Sequence, residues 1–459
     1  MSLSSSYFDD VPIQHIQLLT LLVVGLVIAS LYSLLKLRDH KKYTSTTGPT
    51  PPSPPPSSFS ASPPRVQRHD SIADVVDLIV YPIKSCAGIS LERVALTRTG
   101  FRGDRMWMVV TPRKTFKDTA TATTATTTTP TPNQQYQFLT QRECPKLALI
   151  QPKIQFSNSF ELGATPRHDA GLVHGMKSVT LSAPSQRDIT CPVVRAFHST
   201  ATLCDVTLWE PGSPDDANDV VDQGDAVAEW LSCFLELPNV RLVFRDTTCN
   251  RVVGTKYRAP GNQPSQVSFA DGMQYLIASQ TSLAELNHRI EAAFTSNTKA
   301  AATAPVITMD RFRPNIVVNR SVPFDEDTWS EIQIGTPHGV GGGSSGASTG
   351  HEAKVTFHGV KHCTRCVIPT TNQMTGIQTG VFSEPLTTLR TFRRLNGDKG
   401  KPLFGENLAH REDEWGANGA PFVSVGDEVY MVARKERGVI GGSQRKGRGG
   451  KGGSGCVVM

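Results

Sequence analysis

Residues 75–86 read VVDLIVYPIKSC. The run over 75–81 is apolar and rich in β-branched residues, which is strand composition at strand length. Polar chemistry sits directly at its end, in Lys84, Ser85 and Cys86. Working outward, similar short runs recur at 106–111 (MWMVVT), 147–151 (LALIQ), 240–244 (VRLVF), 315–318 (NIVV) and 425–432 (VGDEVYMV). Many strands at such spacing point to barrels or sandwiches. Two helical patterns interrupt them. Over 225–235, Val227, Leu231, Phe234 and Leu235 share one face, with Asp222 placed to cap it. Over 281–292, Leu283, Leu286 and Ile290 recur at helical spacing behind Thr281 as a cap. The expectation is a β-rich α+β body, in two parts joined near 246–266.

The chain has 459 residues, 38% hydrophobic and 19% charged, which excludes a disordered or collagen-like protein and suggests two or three domains. Its net charge of +6 comes from 47 Lys and Arg against 41 Asp and Glu. Seven of the basic residues, and only Glu436 among the acids, lie from Arg434 onward. The rest of the chain is therefore neutral, which argues against a general nucleic-acid-binding surface. Nine cysteines in a chain this long, an odd number, do not form a secreted disulfide scaffold. Free thiols in a reducing compartment are expected.

The ends carry their own signals. No charged residue occurs from 11 to 35; Asp9 and Asp10 precede this stretch, and Lys36, Arg38, Lys41 and Lys42 follow it. Those flanks suit a signal anchor over 1–42 better than a cleaved signal peptide, and they leave the body in the cytosol. Residues 43–70 are Pro/Ser/Thr-rich and read as a disordered linker. The Thr-rich 118–133 and Gly-rich 335–350 segments read as surface-loop insertions. The glycine run lacks the following Gly-Lys-Ser or Gly-Lys-Thr of a phosphate loop. Residues 433–459 form a basic tail ending Cys456-Val457-Val458-Met459, a pattern that fits farnesylation of Cys456 behind a polybasic second signal.

Four segments concentrate polar chemistry beside strands: 81–86, 102–105 (RGDR), 311–315 (RFRPN) and 362–366 (HCTRC). Lysine, arginine, serine and asparagine at strand ends supply fixed charge and donors for an anionic ligand. Arg105 beside Asp104 also reads as a local ion pair. Cys363 and Cys366 have the spacing of half a zinc site, with His362 or Cys249 available to join by folding. They read equally as an inert structural pair, or as a reactive or soft-metal thiolate favoured by Lys361, His362 and Arg365.

The segments 80–85, 102–107, 138–142 (FLTQR), 312–315, 324–329, 363–366, 375–376, 384–386, 403–405 and 426–427, in this order, resemble the MOSC proteins. Among these they are most similar to the mitochondrial amidoxime-reducing components, which are membrane-anchored molybdenum enzymes. The resemblance implies a MOSC N-terminal β-barrel-like domain, set at 71–245, and a MOSC β-barrel domain at 246–432, behind an N-terminal transmembrane helix. It implies the molybdenum cofactor (Mo-molybdopterin), with Cys366 as the thiolate ligand of the metal. Lys84, Ser85, Arg105, Arg313 and Asn315 match positions that hold phosphate and pterin; Thr364 and Arg365 match neighbours of the ligand. Asp271 and Gly272 match a further cofactor-contacting turn, although they depart from its hydroxyl-bearing residues. Cys363 has no implied ligand role. The implied activity is reduction of N-hydroxylated compounds, with cytochrome b5 and NADH-cytochrome b5 reductase as electron donors, at the outer mitochondrial membrane or the endoplasmic reticulum. MOSC modules also end the molybdenum-cofactor sulfurases, so a carrier or sulfurase-type protein with family-level pyridoxal phosphate binding is the alternative. Here only the anchor and linker precede Asp74, where those enzymes carry a pyridoxal-phosphate domain.

Overall fold

In the computed structural model the described residues are 71–113, 135–157, 175–198, 201–209, 216–246, 249, 251–254, 266–296, 303–336, 354–394, 400–411 and 421–435. The anchor, the linker, the Thr-rich insertion, most of the Gly-rich insertion and Cys456 lie outside them. No helix among the described residues is long and apolar enough to cross a membrane.

Two closed sheets and two three-stranded sheets form the described body. The strands of the two closed rings are β1 (Ser71–Val80), β2 (Trp107–Pro112), β3 (Gln135–Phe138), β4 (Leu203–Thr207), β5 (Ala217–Asp222), β6 (Arg241–Phe244), β7 (Tyr275–Ser279), β8 (Ile316–Asn319), β9 (Trp329–Gly335), β10 (Val355–Thr364), β11 (Leu403–Ala409) and β12 (Glu428–Arg434). The smaller ring runs β2-β3-β4-β5-β6 and closes by antiparallel pairing of β6 with β2. The larger runs β8-β7-β11-β10-β9-β12-β1 and closes where β1 pairs with β8. Closure leaves these strands no free edge. The first strand of the described residues thus belongs to a barrel built mainly from the last third of the chain.

Burial explains the apolar runs. In β2, Met108 and Val110 pack with Tyr136, Val206, Val220 and Val243 in one cluster. Trp107 and Val109, on the other face, pack with α1 (Asp225–Leu235) through Val227, Leu231 and Leu235. A strand buried on both faces reads as continuous rather than alternating hydrophobicity. The larger barrel is filled by Val75, Leu78, Tyr275, Ile316, Trp329, Phe357 and their neighbours. The second helix, α2 (Gln280–Thr295), packs Leu286 and Ile290 against Phe312 and Phe404.

Three local readings are corrected. Residues 147–151 do not form a strand: Pro145–Leu149 is a 3-10 helix started by proline, and a strand begins at Gln151. Asp222 does not cap α1 through the helix; its carboxylate accepts from Gly224 N at 2.7 Å and pairs with Arg241, while Gly224 takes the cap position. The α2 cap is Ser279, whose hydroxyl accepts from Thr281 N at 3.2 Å. A third helix, α3 (Leu386–Phe392), was not anticipated.

Candidate anion and thiol site

Each functional segment arrives at the end of a barrel strand. After β1, Ile83 and Lys84 run parallel to the start of β2, pairing with Trp107 and Met108. The 102–105 turn is stitched on both sides: Arg105 N donates to Tyr81 O at 2.7 Å, and Phe269 N donates to Arg105 O at 3.0 Å. A 3-10 helix, Met309–Phe312, ends in Arg313, which leads into β8. Past the end of β10, Arg365 N is tied to Pro402 O at 2.8 Å, and Cys366 follows. Ser85, Arg105 and Arg313 adopt left-handed backbone, with φ of 72°, 51° and 56°. Non-glycine residues there cost about 1–2 kcal/mol each, and such strain clusters at functional sites.

These segments enclose a cavity of about 330 Å³. Lys84, Ser85, Arg105, Asp271, Arg313, Asn315, Thr364, Arg365 and Cys366 all line it. Gly272, at φ 96°, follows Asp271 and contributes no wall. Five further cavity residues carry charge or soft donors without having been assigned there from the sequence: Arg142, Arg311, Lys361, Cys363 and Lys401. Arg311 stands two residues before Arg313 in the same basic segment, and Arg142 closes the FLTQR segment; nothing in the sequence aims Lys401 inward.

The cavity is strongly positive. Eight lysines and arginines line it against one carboxylate, Asp271. Lys84 is buried, donates to Phe269 O at 2.7 Å, pairs with Asp271 and lies 4.8 Å from the Phe138 ring centre. Burial pulls its pKa down to about 8, with Asp271 opposing. Arg105 pairs with Asp104, and Tyr81 spaces the guanidinium carbons of Arg105 and Arg313, at 4.9 and 4.3 Å from its ring centre. Burial depresses the pKa of Arg313 and of Arg311. Nε of Arg142, Nε of Arg311 and Nη2 of Arg313 are buried with no hydrogen-bond partner. Buried donors without acceptors are costly. All three belong to residues that line the one positive cavity.

The two cysteines are not equivalent. Burial pushes the Cys363 thiol up. Cys366 has a cation for company: burial disfavours the charge of Arg142, but attraction and a hydrogen-bonding interaction with Cys366 hold it above the usual arginine value. Among the described residues no zinc set forms around the pair. His362 Nδ1 instead lies 2.7 Å from Glu406 Oε2 on a different path, and Cys249 packs in the core of the smaller barrel. Asp327, His362 and Glu406 do come together, the one such metal-competent group among the described residues. Arg393 already binds Asp327 and Lys435 already binds Glu406, so this group is a neutralised ion-pair network.

The description "MOSC N-terminal beta barrel domain" matches residues 72–238, and "MOSC domain" matches residues 264–430; together they span more than half of the chain. The chain is 27% identical over 383 residues to mitochondrial amidoxime-reducing component 1 of Mus musculus, covering 82% of this chain and 86% of that protein. It is 25% identical to the Homo sapiens counterpart, over 79% of this chain and 84% of that protein. Molybdenum cofactor sulfurase of Arabidopsis thaliana is 27% identical over 77% of this chain, which spans only 34% of that protein.

Proposed function

Because this chain belongs to the MOSC family, we propose that it is a molybdenum-cofactor-dependent reductase of N-hydroxylated compounds, held at a membrane by residues 1–42. The observation that supports this most is the cavity itself: eight cations, one carboxylate and a cysteine pair. The cofactor combines a phosphate-bearing pterin with a soft, sulfur-bound metal, and both parts find suitable groups here. Lys84, Ser85, Arg105 and Arg313 would hold the phosphate and pterin, and Cys366 would hold the metal. When bound, the cofactor supplies oxygen-transfer redox chemistry. For an amidoxime, two electrons and two protons give the amidine and water. The chain's own residues neutralise the anion and hold the Cys366 sulfur beside Arg142. The electrons would come from cytochrome b5 and NADH-cytochrome b5 reductase, as the family resemblance implies. The mitochondrial relatives favour a mitochondrial location, and the family resemblance implies the outer membrane.

The likeness to a cofactor sulfurase supports one other reading, a cofactor carrier without reductase activity. The full chain, expressed in a host that makes the cofactor, is analysed for molybdenum and zinc and assayed for benzamidoxime reduction with cytochrome b5 and its reductase. About one molybdenum per chain with turnover is expected. Molybdenum without turnover would favour the carrier, and no molybdenum would reject both.

A further inference from the structure

Asn315 lines the cavity, yet its amide has nothing left to offer a ligand. Its Nδ2 donates to Ile79 O at 3.0 Å and to Asp104 Oδ1 at 3.1 Å. Its Oδ1 accepts from Arg105 Nη1 at 3.1 Å and from Leu276 N at 3.3 Å. An amide has two N–H donors and two acceptor lone pairs, and all four are used inside the protein. Asp104 is only 2% exposed and lies behind the cavity wall. Its Oδ1 also accepts from Tyr81 N at 2.9 Å, and its Oδ2 accepts from Arg105. One Arg105 nitrogen is therefore gripped from two sides, while the Tyr81 ring supports the guanidinium face.

We propose that Asp104, acting with Asn315, is a positioning residue that aims the Arg105 guanidinium into the cavity and does not itself touch what binds there. The proposal rests on the reading of the cavity as an anion site. It has a sign that separates it from plain electrostatics. An acid beside a cation weakens anion binding through charge, so its neutral isostere ought to tighten binding if charge alone counted. In Asp104→Asn the Tyr81 N–H claims the remaining amide oxygen, the NH2 group turns toward Arg105, and the grip becomes a repulsion between donors. Positioning therefore predicts weaker binding from removal of a negative charge.

The test uses the full chain, purified without cofactor, and titrates inorganic phosphate by calorimetry alongside thermal unfolding. Asp104→Asn should weaken phosphate about tenfold. In the Arg105→Ala background it should cause no further loss, because residues acting through one group are non-additive. Asn315→Ala should behave the same way in both backgrounds, and it carries the cycle if Asp104→Asn does not fold. Arg105→Lys, which keeps the charge but lacks the planar fork that can be gripped on one side and offered to an anion on the other, should bind phosphate more weakly than wild type. Tighter or unchanged binding in Asp104→Asn, or an undiminished loss without Arg105, would overturn the clamp. If the wild-type chain fails to bind phosphate, or Arg105→Ala binds it normally, the anion-site reading fails first and the clamp with it.

Discussion

Lys84 is a buried cation whose surroundings pull two ways. Desolvation disfavours its charge, while Asp271, the Phe269 carbonyl and the Phe138 ring favour it; the pKa settles at about 8. Protonated Lys84 serves the anion site, so phosphate affinity of the cofactor-free chain should fall as pH rises through 8, and Lys84→Met should flatten that dependence in the same titration. Stability runs the opposite way. Between about pH 8 and pH 10.5 the unfolded chain keeps the proton that the folded chain has lost, so this group adds stability as pH rises, on the order of 3 kcal/mol across the window. Urea unfolding at pH 7.5 and 9.5 should show about 2 kcal/mol of that gain in wild type and none in Lys84→Met. The thiols give a second residue-level test. Cys366→Ala should fold and lose molybdenum, whereas Cys363→Ala should retain most of it; the reverse pattern by elemental analysis would exchange their roles. Residue types at strand ends brought Lys84, Ser85, Arg105, Arg313, Asn315, Thr364, Arg365 and Cys366 to notice, whereas Asp271 came only from the family resemblance. Side-chain saturation was not visible, because the four bonds of Asn315 depend on Ile79, Asp104, Arg105 and Leu276, which lie far apart in sequence.

At the level of elements, β10 and β11 deliver the cysteine pair, and their close approach to β9 and β7 depends on two glycines. A Cβ on Gly359 would lie 1.9 Å from the Trp329 carbonyl oxygen. Gly405, at φ 78°, would place one 2.6 Å from the Ile277 oxygen. Neither obstacle is a flexible side chain. Gly359→Ala should therefore destabilise the protein by about 1–3 kcal/mol or more, seen as a lower denaturant midpoint, and reduce molybdenum retention by displacing the end of β10. Strand existence was legible from composition, since doubly buried strands such as β2 carry continuous apolar runs. Residues 147–151 misled because a short apolar run has no decisive period, and Pro145 selected a 3-10 turn. The cap of α1 misled because Asp222 has a better partner in Arg241, at 2.6 Å. Barrel closure was legible only as a class, because the pairing of β1 with β8 joins residues more than 200 positions apart.

For the whole molecule, the structure redistributes the charge that the sequence placed in the tail. β12 extends to Arg434, which binds Asp325, and Lys435 binds the buried Glu406. Two of the seven basic residues are therefore paired with acids of the folded body, leaving Arg437, Arg445, Lys446, Arg448 and Lys451, with Glu436, beyond it. Near an anionic bilayer each such residue contributes on the order of 1 kcal/mol, an attraction that salt screens. The apolar stretch of residues 11–35 is different in kind, since its transfer into hydrocarbon does not depend on salt. These two contributions can be separated. The full chain should resist extraction from membranes by both high salt and alkaline carbonate. A chain lacking residues 1–42 should remain folded, keep its molybdenum, and sediment with phosphatidylserine vesicles at 50 mM salt but not at 300 mM. Replacing the five distal basic residues by glutamine in that shortened chain should abolish the sedimentation, whereas the same replacement in the full chain should leave it carbonate-resistant. Carbonate extraction of the unaltered full chain would reject the anchor, and salt-insensitive vesicle binding by the shortened chain would locate the membrane contact on the folded body rather than on the tail.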